Sequence, residues 1–304
     1  MRTTNTVALP EGVRLAVSPL SWANDVLEDL GADIPLETCL DEAAAANYQG
    51  VELGRKMPRS AAVLAPLLEG RGLALASGWH SGRLAEGEVE SEMSAVAAHA
   101  ALLRDMGARV MVYGETAMMA SDAPLDVAMS TRTVMPQTAV DAYAGRLSEF
   151  ARRLAGEYGL TLAYHHHLMM VAETFDEISA LFDRAGPEVG LLLDTGHAAA
   201  AGFDYQRLID RFGGRIVHIH LKDVRKPILE KVRELDLSFN GAVRGGLFTV
   251  PGDGMVEFGP LARFVRSRDY RGWLVVEAEQ DPAIAPPLPA VTRAFRHVME
   301  TFAG

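Results

Sequence analysis

The sequence predicts an α/β protein folded as a single (β/α)8 TIM barrel. Short β-rich runs recur along the chain, and each is followed by a longer segment whose apolar residues have helical periodicity. Eight such units in strict alternation indicate parallel strands with right-handed crossovers, and eight units close a barrel. The length of 304 residues suits one barrel. We expect one domain over 1–304, with the barrel in 13–280 and a C-terminal helix in 281–304.

The eight predicted strands are distributed along the whole chain. They are Val13–Ser18, Gly50–Gly54, Leu73–His80, Arg109–Glu115, Leu160–His167, Gly190–Asp194, Arg215–Lys222 and Trp273–Glu279. The predicted helices lie at 36–47, 60–70, 88–106, 138–158, 174–185, 204–212, 257–268 and 287–302. A doubly wound open sheet is the alternative, but no Gly-x-Gly-x-x-Gly turn follows the first strand.

Three predicted connections are longer than the others, and each follows a strand. They are Ser81–Val89, Thr116–Thr138 and Val224–Val256. Barrel enzymes build their sites from the segments that follow the strands, so these connections are expected at the site. The third contains five glycines, which favours a loop that folds over a ligand.

The composition restricts the classes of partner. A net charge of −11 disfavours nucleic acid, because phosphate binding requires clustered Lys and Arg. The single cysteine, Cys39, allows no internal disulfide, which is typical of a reducing cytoplasm. No run of about 18 apolar residues occurs, so we expect neither a signal peptide nor a membrane partner. These features predict a cytoplasmic enzyme that acts on a small molecule.

Side-chain direction alternates along a strand, so one parity faces the helices and the other faces the barrel interior. The polar residues that this alternation, or a place at a strand end, directs inward are Glu52, His165, His167, Asp194, His218, His220, Lys222, Glu277 and Glu279. His166 has the opposite parity and is expected outside the site. Burying this many ionisable groups is costly unless they pair or bind a metal.

A divalent cation such as Mn2+, Co2+ or Zn2+ accepts mixed nitrogen and oxygen ligands. Four of the inward residues come from four successive strands, as a closed site requires. They are His165, Asp194, His220 and Glu277. We predict that these four side chains hold a divalent metal.

Several short motifs make the chain similar to a known family. They are Ser-Pro-Leu-Ser-Trp-Ala-Asn-Asp at 18–25, Gly-Val-Glu-Leu-Gly at 50–54, Tyr-His-His-His at 164–167, Leu-Asp-Thr-Gly-His at 193–197, His-Ile-His-Leu-Lys-Asp-Val-Arg at 218–225, Phe-Thr-Val-Pro-Gly-Asp-Gly at 248–254 and Gly-Trp-Leu-Val-Val-Glu-Ala-Glu-Gln-Asp-Pro at 272–282. On these motifs the chain resembles the xylose-isomerase-like barrel superfamily and, within it, the inosose dehydratases of inositol catabolism. The triple histidine and the Glu-Ala-Glu-Gln-Asp-Pro ending are more particular to the dehydratases than the other motifs.

The resemblance implies a metal site and its cofactors. The superfamily holds its metal with Glu, Asp, His and Glu from strands five to eight, which correspond to His165, Asp194, His220 and Glu277 here. Position 165 departs from that pattern because histidine replaces the usual carboxylate, so His167 competes for the same role. The family is described as using Mn2+ or Co2+, sometimes with glutathione, for which the sequence shows no binding motif.

The resemblance also implies a reaction: a hydro-lyase that removes water from 2-keto-myo-inositol to give a trihydroxycyclohexane-1,2-dione through a metal-stabilised enediolate. The predicted catalytic residues are Lys222, Glu279 and His197. A cation next to Lys222 is expected to lower the lysine pKa, and an ordinary salt bridge to Asp223 or Glu279 is the alternative. The predicted substrate contacts are Trp22, Asn24, Glu52, His80, His167 and Arg225.

Three other functions remain as alternatives. A ketose epimerase or aldose–ketose isomerase acting on a small unphosphorylated sugar shares the enediolate, so the metal ligands do not exclude it. A DNA repair enzyme similar to endonuclease IV is disfavoured by the acidic net charge. A non-catalytic barrel that binds sugar or another protein has no feature in its favour. Barrels of this superfamily often form homo-oligomers, which makes a second copy of the chain a possible partner.

Overall fold

The computed structural model describes residues 8–119, 123, 125–268 and 270–303. Eight parallel strands pair in chain order, and the last pairs with the first to close a barrel. The barrel strands are β1 Val13–Val17, β2 Gly50–Leu53, β3 Ala74–Gly82, β4 Val110–Glu115, β5 Thr161–His165, β6 Val189–Asp194, β7 Ile216–Leu221 and β10 Gly272–Val276. The predicted α/β barrel is therefore confirmed.

Helices connect the strands and surround the barrel. They are α1 Leu36–Ala45, α2 Ala61–Glu69, α3 Val89–Asp105, α4 Gln137–Tyr158, α5 Phe175–Phe182, α6 Thr195–Ala200, α7 Gln206–Phe212, α8 Lys226–Glu234, α9 Phe239–Arg244, α10 Gly259–Ser267 and α11 Pro287–Phe302. Each predicted helix is present, and α6, α8 and α9 were not predicted. None of the helices in the described residues is both long enough and apolar enough to cross a membrane.

The core has two layers. The larger layer lies between the strands and the surrounding helices, where Leu, Val and Phe side chains are buried. Inside the barrel, small apolar clusters include Ala16, Ala76 and Val275 on one side and Ala163 and Leu192 on the other. Beyond these clusters, toward the carboxyl ends of the strands, the interior becomes polar. The apolar filling of the barrel thus leaves only that end free for a site.

Two β-bulges change which side chains face the interior. In β3 the register against β2 shifts between Leu75 and Gly78, and in β7 the register against β6 shifts after Ile216. A bulge inserts one residue, so the parity reverses beyond it. Val217 accordingly packs with the interior cluster, although alternation predicted that it faces the helices. In β3 the same effect turns Trp79 toward the interior.

The long connection after β7 is an ordered structure rather than a simple glycine-rich loop. It contains α8, α9 and a two-stranded antiparallel sheet of β8 Asp223–Val224 with β9 Phe248–Thr249. The buried Asp223 carboxylate accepts the backbone N–H groups of Gly252, Gly254 and Val256, at 2.9–3.1 Å. These bonds fix both ends of the connection at the mouth of the barrel.

Candidate active site

A cavity of about 800 Å³ opens at the carboxyl ends of the strands. The predicted site residues that line it are Asn24, Glu52, His165, His167, His220, Glu277 and Glu279. Three others, Asp194, His197 and Lys222, are fully or almost fully buried directly behind this wall. Ten of the thirteen predicted residues therefore lie in or against one cavity.

The predicted metal ligands converge on one point. Asp194 Oδ2 lies 3.5 Å from His165 Nε2 and 3.5 Å from His220 Nδ1, and His220 Nδ1 lies 3.1 Å from Glu277 Oε2. Ligand atoms bound about 2.0–2.2 Å from one ion are about 3–3.5 Å from each other. Among the described residues, Asp194 Oδ2 and His220 Nδ1 are buried without a hydrogen-bond partner. The donor set therefore has the spacing and the free lone pairs that a divalent cation requires.

In each imidazole, the hydrogen bond at one ring nitrogen shows which nitrogen carries the hydrogen and which one faces the cluster. His165 Nδ1 lies 2.6 Å from the carbonyl oxygen of His166, and a carbonyl only accepts, so Nδ1 carries the hydrogen. His220 Nε2 lies 3.1 Å from Glu52 Oε1, where it donates to the carboxylate. His165 Nε2 and His220 Nδ1 are then free to bind a metal, in the arrangement common to metal-binding histidines.

The two candidate ligands of strand five belong to different groups. His165 lies with Asp194, His197 and Glu277, whose donor atoms are all within 4.8 Å of one another. His167 lies instead with His197 and Glu279. The geometry thus favours His165 over His167 beside Asp194. A third group joins Glu52 to both inward histidines of β7, His218 and His220.

The cluster has an excess of negative charge. Within the described residues, the carboxylates of Glu52, Asp194, Glu277 and Glu279 surround one ammonium group, that of Lys222. Burial disfavours the charged form of Asp194, yet its pKa lies well below the usual value because Lys222 and His197 are adjacent. Burial likewise opposes the charged form of His220, but Glu277 and Glu52 raise the pKa of that imidazole well above its usual value, so a cation that binds Nδ1 would displace a proton from it. Such a negative potential favours a cation.

Lys222 is a fully buried link between three of these groups. Its Nζ lies 2.5 Å from Glu277 Oε1, 3.0 Å from Glu279 Oε2 and 3.0 Å from His197 Nε2. Burial lowers the pKa of Lys222, but Glu277 and Glu279 outweigh it and raise that pKa. The lowering of this pKa was predicted next to a bound cation, and it stays a prediction. Lys222 does not line the cavity, and its ammonium group contacts both Glu277 and Glu279.

The Asp-Thr-Gly-His motif sets the position of this lysine. Asp194 Oδ1 accepts the N–H of His197 at 2.7 Å, which starts α6 directly at the end of β6. The Thr195 hydroxyl lies 2.7 Å from the carbonyl oxygen of Lys222 and 3.0 Å from its amide nitrogen. A Cβ on Gly196 would lie only 2.4 Å from Lys222 Cγ, so glycine is required for the lysine stem to pass.

Of the two predicted contacts near the start of the chain, only one lines the cavity. Trp22 lies in the core, where its Nε1 donates to Glu42 on α1 at 2.6 Å. A 3-10 turn at Pro19–Ser21 ends the strand geometry and turns the indole away from the cavity. Trp22 as a cavity wall is therefore corrected. Asn24 lines the cavity, and its Oδ1 accepts the N–H groups of the two residues at 26 and 27.

His80 and Arg225 also lie away from the cavity. His80 Nε2 is 2.5 Å from Glu92 Oε1 on α3, because the bulge in β3 turns His80 toward the helices. Arg225 donates to the Gly246 carbonyl and to Asp253, at 2.9 and 2.8 Å, and so stabilises the two-stranded sheet of the long connection. Both predicted substrate contacts are corrected to structural roles.

The cavity includes residues that sequence reasoning missed. The apolar ones are Trp79, Val112, Met119, Leu125, Met170 and Phe239, and the polar ones include Asp25, Arg83, Glu86 and Thr116. Most of them lie in the three long connections, where no periodicity indicates direction. Trp79 had a usable signal, because it is an aromatic residue near the carboxyl end of a barrel strand.

The chain is similar to known proteins of one family. Residues 40–300 match the model of the xylose isomerase-like TIM barrel family. The chain belongs to this family. It is 47% identical to the rhizopine catabolism protein MocC of Rhizobium meliloti over 91% of this chain and 84% of that protein. It is 39% identical to inosose dehydratase 2 of Bacillus cereus over 95% of this chain and 97% of that protein.

A solved structure shows the same fold. The crystal structure of IOLI protein with a binding zinc atom superposes with a TM-score of 0.69, at 14% identity, over 95% of this chain and 98% of that chain. At that identity the likeness supports the barrel fold and nothing further. The functional argument therefore depends on the residues of this chain and on its more similar relatives.

Proposed function

We propose that this protein is a hydro-lyase of inositol catabolism that removes water from 2-keto-myo-inositol, an inosose. The observation that carries the proposal is the close group of His165, Asp194, His220 and Glu277 donors at the cavity, in which Asp194 Oδ2 and His220 Nδ1 have no hydrogen-bond partner among the described residues. The name of the relative at 39% identity supplies the substrate class and the reaction. The cavity of about 800 Å³ accommodates a six-membered ring.

We further propose that these four side chains hold Mn2+ or Co2+, with Zn2+ as the alternative. The mixed set of two imidazoles and two carboxylates fits any of these borderline cations. When bound there, a divalent ion polarises a ketone oxygen and stabilises negative charge that develops beside it. A glutathione requirement stays a family expectation, since no contact among the described residues points to a site for it.

The protein residues then have distinct roles. Glu279 lines the cavity and is held by Lys222, so its carboxylate is placed to take the proton from the carbon next to the ketone. The hydroxyl that leaves as water needs one proton, and the carboxyl group of Glu279 has just taken one from the carbon. Glu279 therefore serves first as the base and then as the acid. His167 Nδ1 donates to the Leu168 carbonyl at 2.6 Å, which leaves Nε2 to accept a hydrogen bond from a substrate hydroxyl. The His197 ring, whose centroid lies 3.8 Å from that of His167 at an angle of 39°, packs against that ring and keeps it in place.

Mass spectrometry tests the reaction. Mn2+-loaded protein is incubated with 2-keto-myo-inositol beside chelated protein. We expect the loss of one water from the substrate in the loaded sample only. A product of unchanged mass but altered NMR spectrum would contradict dehydration and support the epimerase or isomerase alternative. Unchanged substrate in both samples would also contradict the proposal.

A second candidate substrate comes from the relative at 47% identity, which is named for rhizopine catabolism. A protein of that pathway is expected to act on rhizopine or on a compound formed from it. The same incubation with rhizopine in place of the inosose distinguishes the two. Metal-dependent conversion of rhizopine, without conversion of 2-keto-myo-inositol, would replace the first proposal with the second.

A further inference from the structure

The cavity has a mixed lining. The polar cluster forms its polar wall, and apolar side chains that include Trp79 also line it. The Trp79 indole lies next to the cluster, with its centroid 5.7 Å from the His165 ring and 6.1 Å from the His167 ring. A small ligand held at the polar wall is therefore beside this indole.

The indole is held in place by its surroundings. Its Nε1 donates to Ser81 Oγ at 2.9 Å, so its only polar atom is already paired. Its six-membered ring lies over Gly114, where a Cβ would be 2.0 Å from Cη2. It also packs against the interior cluster of Val112, Ala163 and Leu192. The half-buried surface that Trp79 presents to the cavity is thus a fixed, apolar, flat one.

A flat apolar surface beside a polar cluster suits a ligand with a polar edge and an apolar face. A cyclohexane ring with equatorial hydroxyls has this form, because its hydroxyls lie around the edge and its axial C–H bonds form the faces. An axial hydroxyl would be pressed against the carbon face of the indole, which offers no hydrogen bond to replace water.

We propose that Trp79 is a specificity-determining residue that stacks on the C–H face of the carbocyclic substrate and selects against axial hydroxyls. The proposal rests on the proposed function, because it takes a polyhydroxylated cyclohexane as the ligand. Gly114 is the positioning residue that makes room for the indole, and Ser81 fixes its rotation.

Binding of two stable inositols, which lack the ketone, tests the proposal without catalysis. All hydroxyls of scyllo-inositol are equatorial, whereas chiro-inositol has an axial hydroxyl on each face. Isothermal titration of Mn2+-loaded protein is expected to show scyllo-inositol binding at least about tenfold more tightly, since one unsatisfied buried hydroxyl has about that effect. Equal affinity, or no binding of either, would overturn the proposal.

Variants separate stacking from a general effect on the fold. Trp79→Ala is expected to weaken scyllo-inositol binding about tenfold and bring the ratio of the two affinities close to one, and Trp79→Phe should keep part of the preference. Gly114→Ala should resemble Trp79→Ala, whereas Gly156→Ala, on the exposed side of α4 with no atom within 4 Å of the new Cβ, should behave as the unaltered protein. A preference that survives in Trp79→Ala would overturn the proposal, as would a Gly114→Ala variant that binds normally.

The outcome is independent of the dehydration assay. Selectivity for scyllo-inositol without dehydration of the inosose would leave the role of Trp79 intact and reject the proposed reaction. Dehydration without this selectivity would reject the role of Trp79 alone.

Discussion

Two buried carboxylates, one inside the barrel and one outside it, have opposite surroundings. Asp194 ends β6 and has one oxygen, Oδ2, without a hydrogen-bond partner among the described residues. Glu115 ends β4 but faces the helices, and both of its oxygens are occupied. It accepts the Tyr113 hydroxyl at 2.8 Å and the backbone N–H groups of Ala85 and Ala117, each at 3.0 Å.

The difference shows which buried charge is available for function. Burial raises the pKa of Glu115 even though three hydrogen-bond donors stabilise its charge. Because both of its oxygens accept these hydrogen bonds, neither is free to bind a ligand. At Asp194 the oxygen without a hydrogen bond faces His165 Nε2 and His220 Nδ1, and His220 Nδ1 also has no hydrogen-bond partner among the described residues. Burial alone therefore does not identify a site, because convergent donor atoms without partners are also needed.

The largest expected effect follows from replacing Asp194 by asparagine. The amide oxygen preserves the hydrogen bond to the His197 N–H, while the amide NH2 replaces the free Oδ2 and cannot bind a cation. We expect loss of bound Mn2+, measured by elemental analysis after gel filtration, and a fall in kcat/KM of about 10³-fold or more. Glu115→Gln is the matched control and should retain the metal. Equal metal content in the two variants would contradict the contrast between the carboxylates.

A smaller effect is expected at Glu279, which lies on the cavity side of Lys222. Glu279→Gln keeps the shape and a hydrogen-bond partner for the Lys222 ammonium but cannot take a proton. We expect kcat to fall about 10²- to 10⁴-fold while bound Mn2+ is retained, as measured by steady-state kinetics and elemental analysis. Retention of normal kcat would assign the proton transfer to another residue, and loss of metal would make Glu279 a ligand.

Glu115→Gln is expected to affect stability rather than turnover. Glutamine offers one acceptor oxygen where glutamate offers two, so at least one buried donor loses its partner, at a cost of about 1–3 kcal/mol in unfolding free energy. Because the Glu115 pKa is raised in the folded state, its contribution to stability is complete below the ordinary Glu pKa and declines as the pH rises through the raised value. Urea unfolding from about pH 4 to 7 should show the variant's deficit shrinking as pH rises. A deficit that grows with pH would contradict this sign.

The fold could be predicted from the sequence because each strand and helix has its own periodicity. The observed β5 at Thr161–His165 and β10 at Gly272–Val276 differ from the predicted segments only near their ends. The helices α8 and α9 were missed because their connection was interpreted from its glycines as a loop. In α8 the buried Leu229 and Val232 do have helical spacing, so that helix had a usable signal.

The candidate site could be predicted where strand alternation is regular. It placed His165, His220 and Glu277 toward one point, and the structure brings their donor atoms together. It failed at the bulge in β3, which alternation does not reveal and which turns Trp79 inward and His80 outward. Beyond the ends of the strands, side chains no longer alternate between the two faces, so the directions of residues in the connections could not be predicted.

The smallest expected effect tests that bulge directly. His80 Nε2 contacts Glu92, and its ring lies 6.3 Å from the Phe150 ring, so the side chain joins β3 to the helices. His80→Gln keeps a donor for Glu92 but removes the aromatic contact, which should lower the unfolding free energy by about 1 kcal/mol and change kcat and KM by no more than about twofold. Steady-state kinetics and urea unfolding measure both quantities. A tenfold rise in KM with unchanged stability would instead place His80 at the substrate, and it would mean that the alternation of β3 continues without a bulge.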